Sequence, residues 1–246
     1  MKLDIIETKD LTRIYGEVLA LDRLDLKVHR GEIFGLIGPD GAGKTTTLRL
    51  LATVLSPSSG GGWVAGYDLV KETEQVKKKI GYMPQRFSLY EDLTVDENIE
   101  FFARLRRVGG EAFRKRKRDL MEFIGLGPFG SRLAGQLSGG MKQKLGLICT
   151  LIHTPELLLL DEPTTGVDPV SRREFWKIIT TLLGEGVTVV VSTPYMDEAD
   201  RCRRIGLIYQ GKIIVADTPE AVKAMAPSEK PGLEEAFLYL TREEKQ

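Results

Sequence analysis

Apolar residues recur along this chain in two rhythms, and the rhythms alternate. Ile33–Ile37 is a short apolar run leading into a glycine-rich turn, and beyond the turn Leu48, Leu51, Ala52 and Leu55 fall at the i, i+3, i+4, i+7 spacing of one helix face. That segment predicts strand, loop, helix. Leu157–Leu160 and Val187–Val191 read as further buried parallel strands, with Phe175, Ile178, Ile179 and Leu182 as the inner face of a helix between them. Ile205–Tyr209 and Lys212–Ala216, joined at Gln210-Gly211, predict an edge hairpin. More polar strands near Asp4–Leu11 and Leu24–Val28 predict a small antiparallel layer, and the Gly/Ser cluster Ser56–Gly62 predicts a loop before a strand at Trp63–Gly66. From about Leu93 to Ile152 the helical period takes over, with Phe101, Phe102, Leu105 and Val108 on one stripe and Met141, Leu145, Ile148 and Ile152 on another. Thr218-Pro219 reads as an N-cap with proline at the first helical position, and a last helix carries Leu233–Leu240. The expected architecture is an α/β fold in one domain. Residues 1–92 and 153–216 form a mostly parallel sheet with an antiparallel β layer, 93–152 an inserted helical subdomain, and 217–246 a helical tail.

Composition narrows the function classes. The chain has 246 residues, 42% of them hydrophobic, enough to bury a core without help, which excludes disorder as the default. Lys plus Arg (35) equals Asp plus Glu (35), so no global field draws a polyanion or a membrane surface. No window approaches the roughly 18 uninterrupted apolar residues that span a bilayer, and the start MKLDIIETKD carries no signal-peptide core. The chain is expected to be soluble and cytoplasmic. Cys149 and Cys202 lie far apart without metal spacing and read as reduced, buried thiols. The basic run Arg104–Arg118 reads as the solvated face of helices, because Phe113, Leu120 and Ile124 fall on the opposite stripe. Phe113 is the lone aromatic in that run and falls on that opposite stripe, so no series of aromatics interleaves the charges, which argues against single-strand nucleic acid.

Chemistry concentrates at two places. Gly38-Pro39-Asp40-Gly41-Ala42-Gly43-Lys44-Thr45 fits G-x-x-x-x-G-K-[ST], with an apolar strand before it and an amphipathic helix after. Glycines let successive N–H groups face inward around phosphate oxygens, and the positive end of the following helix dipole points at the same place. Thr46 continues that loop into the helix. Lys44 supplies a charge for the β- and γ-phosphates, and the Thr45 hydroxyl is placed for Mg²⁺. Farther on, Leu157–Leu160 ends in Asp161-Glu162, two carboxylates at the C-terminal end of a buried strand, where open parallel sheets bind ligands. Asp161 can hold the Mg²⁺ shell and Glu162 can take a proton from an attacking water. Acidic residues at strand ends also serve as helix caps or solvated turns.

With Leu137-Ser138-Gly139-Gly140-Met141 and Leu157–Pro163 following the phosphate loop in this order and spacing, the chain resembles the nucleotide-binding subunit of an ABC transporter over essentially its whole length. The resemblance implies a P-loop NTPase core of RecA-like type, with ATP and Mg²⁺ as ligands. It implies that Ser138, Gly139 and Gly140, at a helix start, close on the γ-phosphate held by an opposite cassette, so that ATP is sandwiched between two cassettes. By the same resemblance, Tyr15 stacks on adenine, although a tyrosine between strand and turn can simply pack. Gln85 touches Mg²⁺ and the attacking water, and Asp168, in Gly166-Val167-Asp168, contacts the dimer interface. Phe87–Phe102 and the tail most resemble exporters whose membrane permeases are of the ABC-2 type, which implies a peripheral place on the cytoplasmic membrane face and no nucleic-acid partner.

One departure from the family stands out. After the Val187–Val191 strand the family usually has a histidine that touches the γ-phosphate, but here the run is Ser192-Thr193-Pro194, and proline offers no donor. The two histidines, His29 and His153, lie outside this segment and read as surface or packing residues. The expectation is one weak and one competent site, with a non-identical second cassette as a separate chain or fused in one polypeptide. Two other readings stand beside the transporter: a soluble ABC ATPase of translation or DNA repair, and an ATP sensor that scarcely hydrolyses.

Overall fold

The computed structural model describes residues 4–228 and 231–243. The chain opens with β1 (Asp4–Tyr15), β2 (Val18–Leu24) and β3 (Lys27–His29), followed by β4 (Ile33–Ile37) and α1 (Lys44–Leu51). Next come β5 (Ser59–Val64), β6 (Tyr67–Asp68), α2 (Thr73–Lys79) and β7 (Ile80–Met83). Three helices, α3 (Val95–Leu105), α4 (Gly110–Ile124) and α5 (Gly139–Leu151), separate β7 from β8 (Leu157–Asp161). The chain continues through α6 (Pro169–Gly184), β9 (Thr188–Thr193), α7 (Met196–Ala199), β10 (Arg204–Tyr209), β11 (Lys212–Asp217), α8 (Pro219–Lys223) and α9 (Leu233–Glu243).

The central sheet runs β11-β10-β4-β9-β8-β7; every neighbouring pair is parallel except the β10–β11 edge hairpin. Its strands β4, β8 and β9 are buried at every position because both faces are covered. Ile33 and Ile37 of β4, Leu158 and Leu160 of β8, and Val189 and Val191 of β9 join the core shared with α5 and α6. Phe34, Leu36, Leu157, Leu159 and Val190 point the other way, into a core with α1 and the antiparallel layer. That layer, β2-β1-β5-β6 with β3 also on β1, holds five strands and is larger than the sequence predicts.

Two local expectations fail for physical reasons. The Gly/Ser cluster predicts a loop, yet β5 begins at Ser59 inside it. A Cβ on Gly62 would lie 2.3 Å from the Glu7 carbonyl oxygen, so the glycine marks close backbone approach to β1 rather than a turn. The stripe Phe101, Phe102, Leu105, Val108 is only half right: Phe102 and Val108 pack partly buried against the core, but α3 ends at Leu105, which is 63% exposed, and the fully buried positions are Val95, Asn98, Ile99 and Ala103. A capping box sets this register, with Thr94 accepting from the Glu97 N–H at 3.2 Å while Glu97 accepts from the Thr94 N–H at 2.8 Å. Leu145, Ile148 and Ile152 are buried as expected, and so are the free thiols of Cys149 and Cys202. Among the described residues no helix is long and apolar enough to cross a membrane.

Candidate functional site

β4 delivers the glycine-rich loop to the C-terminal edge of the parallel sheet, and α1 starts directly from it. Gly38 sits where a Cβ would lie 2.2 Å from the Ile208 carbonyl oxygen, and Gly43, at φ 110°, is the left-handed N-cap of α1. The Lys44 side chain is only 3% exposed. Its Nζ donates to the carbonyls of Gly38 (2.8 Å) and Pro39 (3.0 Å), pairs with Glu162 Oε1 at 3.1 Å and reaches Asp40 at 3.8 Å.

β8 and β9 bring the acidic pair to the same edge. Asp161 Oδ1 accepts from Thr45 Oγ1 at 3.0 Å and from Ser192 Oγ at 2.8 Å. Asp161 Oδ2 is buried with no hydrogen-bond partner, and desolvation pushes the carboxyl above its ordinary range. Glu162 adopts a left-handed backbone, φ 49°, rare for a side chain of this size and a form of local strain found at working sites. Its N–H is held by Ser192 through the carbonyl (3.1 Å) and the hydroxyl (3.0 Å). Its Oε2 accepts from Gln85 Nε2 at 2.9 Å and lies 3.4 Å from Thr165 Oγ1.

Asp40, Lys44, Gln85, Glu162 and Thr165 line one cleft of about 420 Å³ with Gly41, Gly43, Thr45 and Thr46, bounded by Ala20, Pro194 and Tyr195, while Asp161 and Ser192 are not in its wall. Tyr15 is not in its wall. It stands 39% exposed at the end of β1 beside the Arg13 guanidinium, 4.6 Å from the ring centre, while Ala20 of the adjoining β2 borders the cleft. Nor do Ser138, Gly139, Gly140 and Asp168 line it. Ser138 caps α5, accepting from the Met141 N–H at 3.3 Å, and Asp168 caps α6, accepting from the N–H groups of Val170 and Ser171 at 3.0 Å each. Hydrogen bonds from Ser171 hold the Asp168 carboxyl below the usual carboxylate range. Ser138, Gly139 and Asp168 are exposed, and Gly140 packs on Ser171, so these two helix starts stand side by side. His29 and His153 are outside the cleft, on Asp4 Oδ1 and the Ile80 carbonyl.

Sequence reasoning missed Ser192, Thr165 and Tyr195 as parts of this site. A serine closing the apolar run of β9, in register with Asp161, is the one signal that points to Ser192.

Residues 21–165 match a family model described as ABC transporter. The chain belongs to the ABC transporter family. The cassette is 44% identical over 239 residues to the "Probable multidrug ABC transporter ATP-binding protein YbhF" of Escherichia coli, covering 96% of this chain and 41% of that protein. It therefore spans less than half of that relative. It is 43% identical over 211 residues to the "Daunorubicin resistance ATP-binding protein DrrA3" of Streptomyces coeruleorubidus, covering 85% of this chain and 67% of that one. Among solved structures it resembles the "Dimeric structure of a post-hydrolysis state of the ATP-binding cassette MJ0796 bound to ADP and Pi", with a TM-score of 0.78 and 27% identity, over 87% of this chain and 98% of that one. The cassette is an ATP-binding protein of P-loop NTPase fold.

Proposed function

We propose that this chain is the ATP-hydrolysing motor of an ABC exporter of the ABC-2 type, held on the cytoplasmic face of a membrane by its permease. One observation carries the reading. Lys44, Gln85 and Glu162 converge in a single cleft, while the Ser138 helix start is exposed and outside it, so the chain offers two complementary halves rather than one whole site. Two cassettes facing each other complete both sites.

In that arrangement the loop from Gly38 through Pro39, Asp40, Gly41, Ala42 and Gly43 to Thr46 cradles the phosphates with its N–H groups. Lys44 binds the β- and γ-oxygens. Ser138, Gly139 and Gly140 present N–H groups and a helix dipole to the γ-phosphate on the partner, Asp168 contacts the partner's loop, and Tyr15 stacks on adenine. Glu162 takes the proton of the attacking water, which Gln85 helps to orient. Thr45, Asp161 and Gln85 supply hard oxygen donors suited to Mg²⁺, and the buried, partnerless Oδ2 of Asp161 fits such an ion. A magnesium ion there would neutralise charge on the phosphate oxygens. Among the described residues no group of three or more His, Cys, Asp or Glu could hold a metal.

Coupling to the permease uses a separate groove of about 850 Å³ between α2, the end of α3 and β7. Exposed Val54 and Leu105 flank it, Lys77 and Arg107 rim it, and Tyr82 in its floor lies on the same strand run that leads to Gln85. Pro194 in the cleft wall supports pairing with a non-identical cassette whose site is competent. The drug-resistance names of the relatives favour export. The test is Mg²⁺-dependent phosphate release by the purified chain, alone and with the permease and second cassette recovered from gently solubilised membranes. ATP binding without release in every pairing would leave the sensor reading.

A further inference from the structure

Tyr82 lies on β7 opposite Leu159 of β8, two residues before Asp161. In parallel strands that register turns Tyr82, Leu159 and Asp161 to one face of the sheet. It is the face covered by α1, whose Thr45 already holds Asp161 Oδ1 and whose Arg49 follows one helical turn later. The Tyr82 hydroxyl and Asp161 Oδ2 are both buried, and neither has a hydrogen-bond partner. The charged groups that act on this hydroxyl are Asp161 and Arg49.

We propose that Tyr82 is a positioning residue for the metal site: its hydroxyl, steered by Arg49, orients the free oxygen of the Asp161 carboxylate. The chemistry is that of an outer-shell donor. Thr45 and Ser192 fix one oxygen of Asp161, and a carboxylate held at only one oxygen can still swing its second. A phenol, unlike a lysine, orients that oxygen without competing for its charge. Tyr82 also lines the groove proposed above for the permease, so it stands between that docking surface and the strand that carries the metal-binding carboxylate. The inference rests on the ATP site proposed above.

Tyr82→Phe removes one oxygen and keeps the ring. Mn²⁺ binding to the intact chain with ADP, followed by electron paramagnetic resonance, should weaken about tenfold, as loss of outer-shell partners typically weakens metal sites. ADP affinity in the presence of a chelator and the melting temperature should stay unchanged. Mn²⁺ affinity within twofold of wild type overturns the inference. So does an equal fall in metal-free ADP affinity, which marks a packing role. If the wild-type chain binds neither ADP nor Mn²⁺, the ATP-site reading fails first and the inference falls with it.

Discussion

Glu162→Gln separates binding from chemistry in one substitution, and the structure sets its size. Glu162 and Lys44 are 3.1 Å apart, with side chains 7% and 3% exposed. Two unit charges at that separation attract by about 5 kcal/mol at an effective dielectric of about 20. Removing one partner of a buried pair commonly costs about 3–5 kcal/mol, because the other charge stays behind. Here Lys44 keeps the carbonyls of Gly38 and Pro39, and the new amide can still accept from it, so a cost of about 1–2 kcal/mol is expected. For a chain of this size that lowers the melting temperature by roughly 2–8 °C. The lysine is then free of a competing carboxylate, and ATP should bind at least about tenfold tighter, about 1.4 kcal/mol. Without its proton acceptor, phosphate release should fall by about 10²–10⁴. Calorimetric titration with ATP and single-turnover phosphate release measure both arms on one preparation. A variant that hydrolyses within threefold of wild type, or binds ATP more weakly, refutes the assignment of Glu162 and of the pair.

Other perturbations test neighbouring parts. Burial holds the Asp161 carboxyl above its ordinary 3.8, so the folded chain binds that proton more tightly than the unfolded one. The resulting stability is complete below about pH 3.8 and is lost as pH climbs through the raised value. Metal-free Asp161→Asn should therefore melt higher than wild type at pH 7, converge on it toward pH 4, and show no ATP hydrolysis; equal melting curves at pH 7 would contradict this. Pro194→His should speed hydrolysis about 10²–10³-fold if the cleft lacks a transition-state donor, and an unchanged rate ends that idea. A Cβ at Gly140 would lie 2.5 Å from Ser171 Oγ and 2.6 Å from its Cβ, so Gly140→Ala should cost about 1–3 kcal/mol in thermal or denaturant unfolding. Adding Ser171→Gly should restore most of that loss, and no restoration would mean that the clash is not the cause.

Much of this molecule is legible from local pattern. The runs Leu157–Leu160 and Val187–Val191 announce strands covered on both faces, and the glycine-rich loop between Ile37 and Lys44 announces its chemistry through its flanks. What escapes is tertiary. Three consecutive glycines look like a loop until β1 lies against them, and Leu105 looks like core until the capping box at Thr94 fixes the turn of α3. Ser192 gains its role only because β9 lies beside β8, and Tyr82 only because β7 lies on the other side. The division of the site is legible only in part. The sequence holds both halves, while their separation on one chain emerges from where α5 and the phosphate loop face.

The most direct test is sedimentation velocity of the Glu162→Gln chain at saturating nucleotide. The account predicts a dimer with ATP, a monomer with ADP, and a monomer again with ATP when Ser138→Arg is added. A chain that stays monomeric with ATP, or a dimer indifferent to Ser138→Arg, would contradict the claim that the γ-phosphate joins two facing halves.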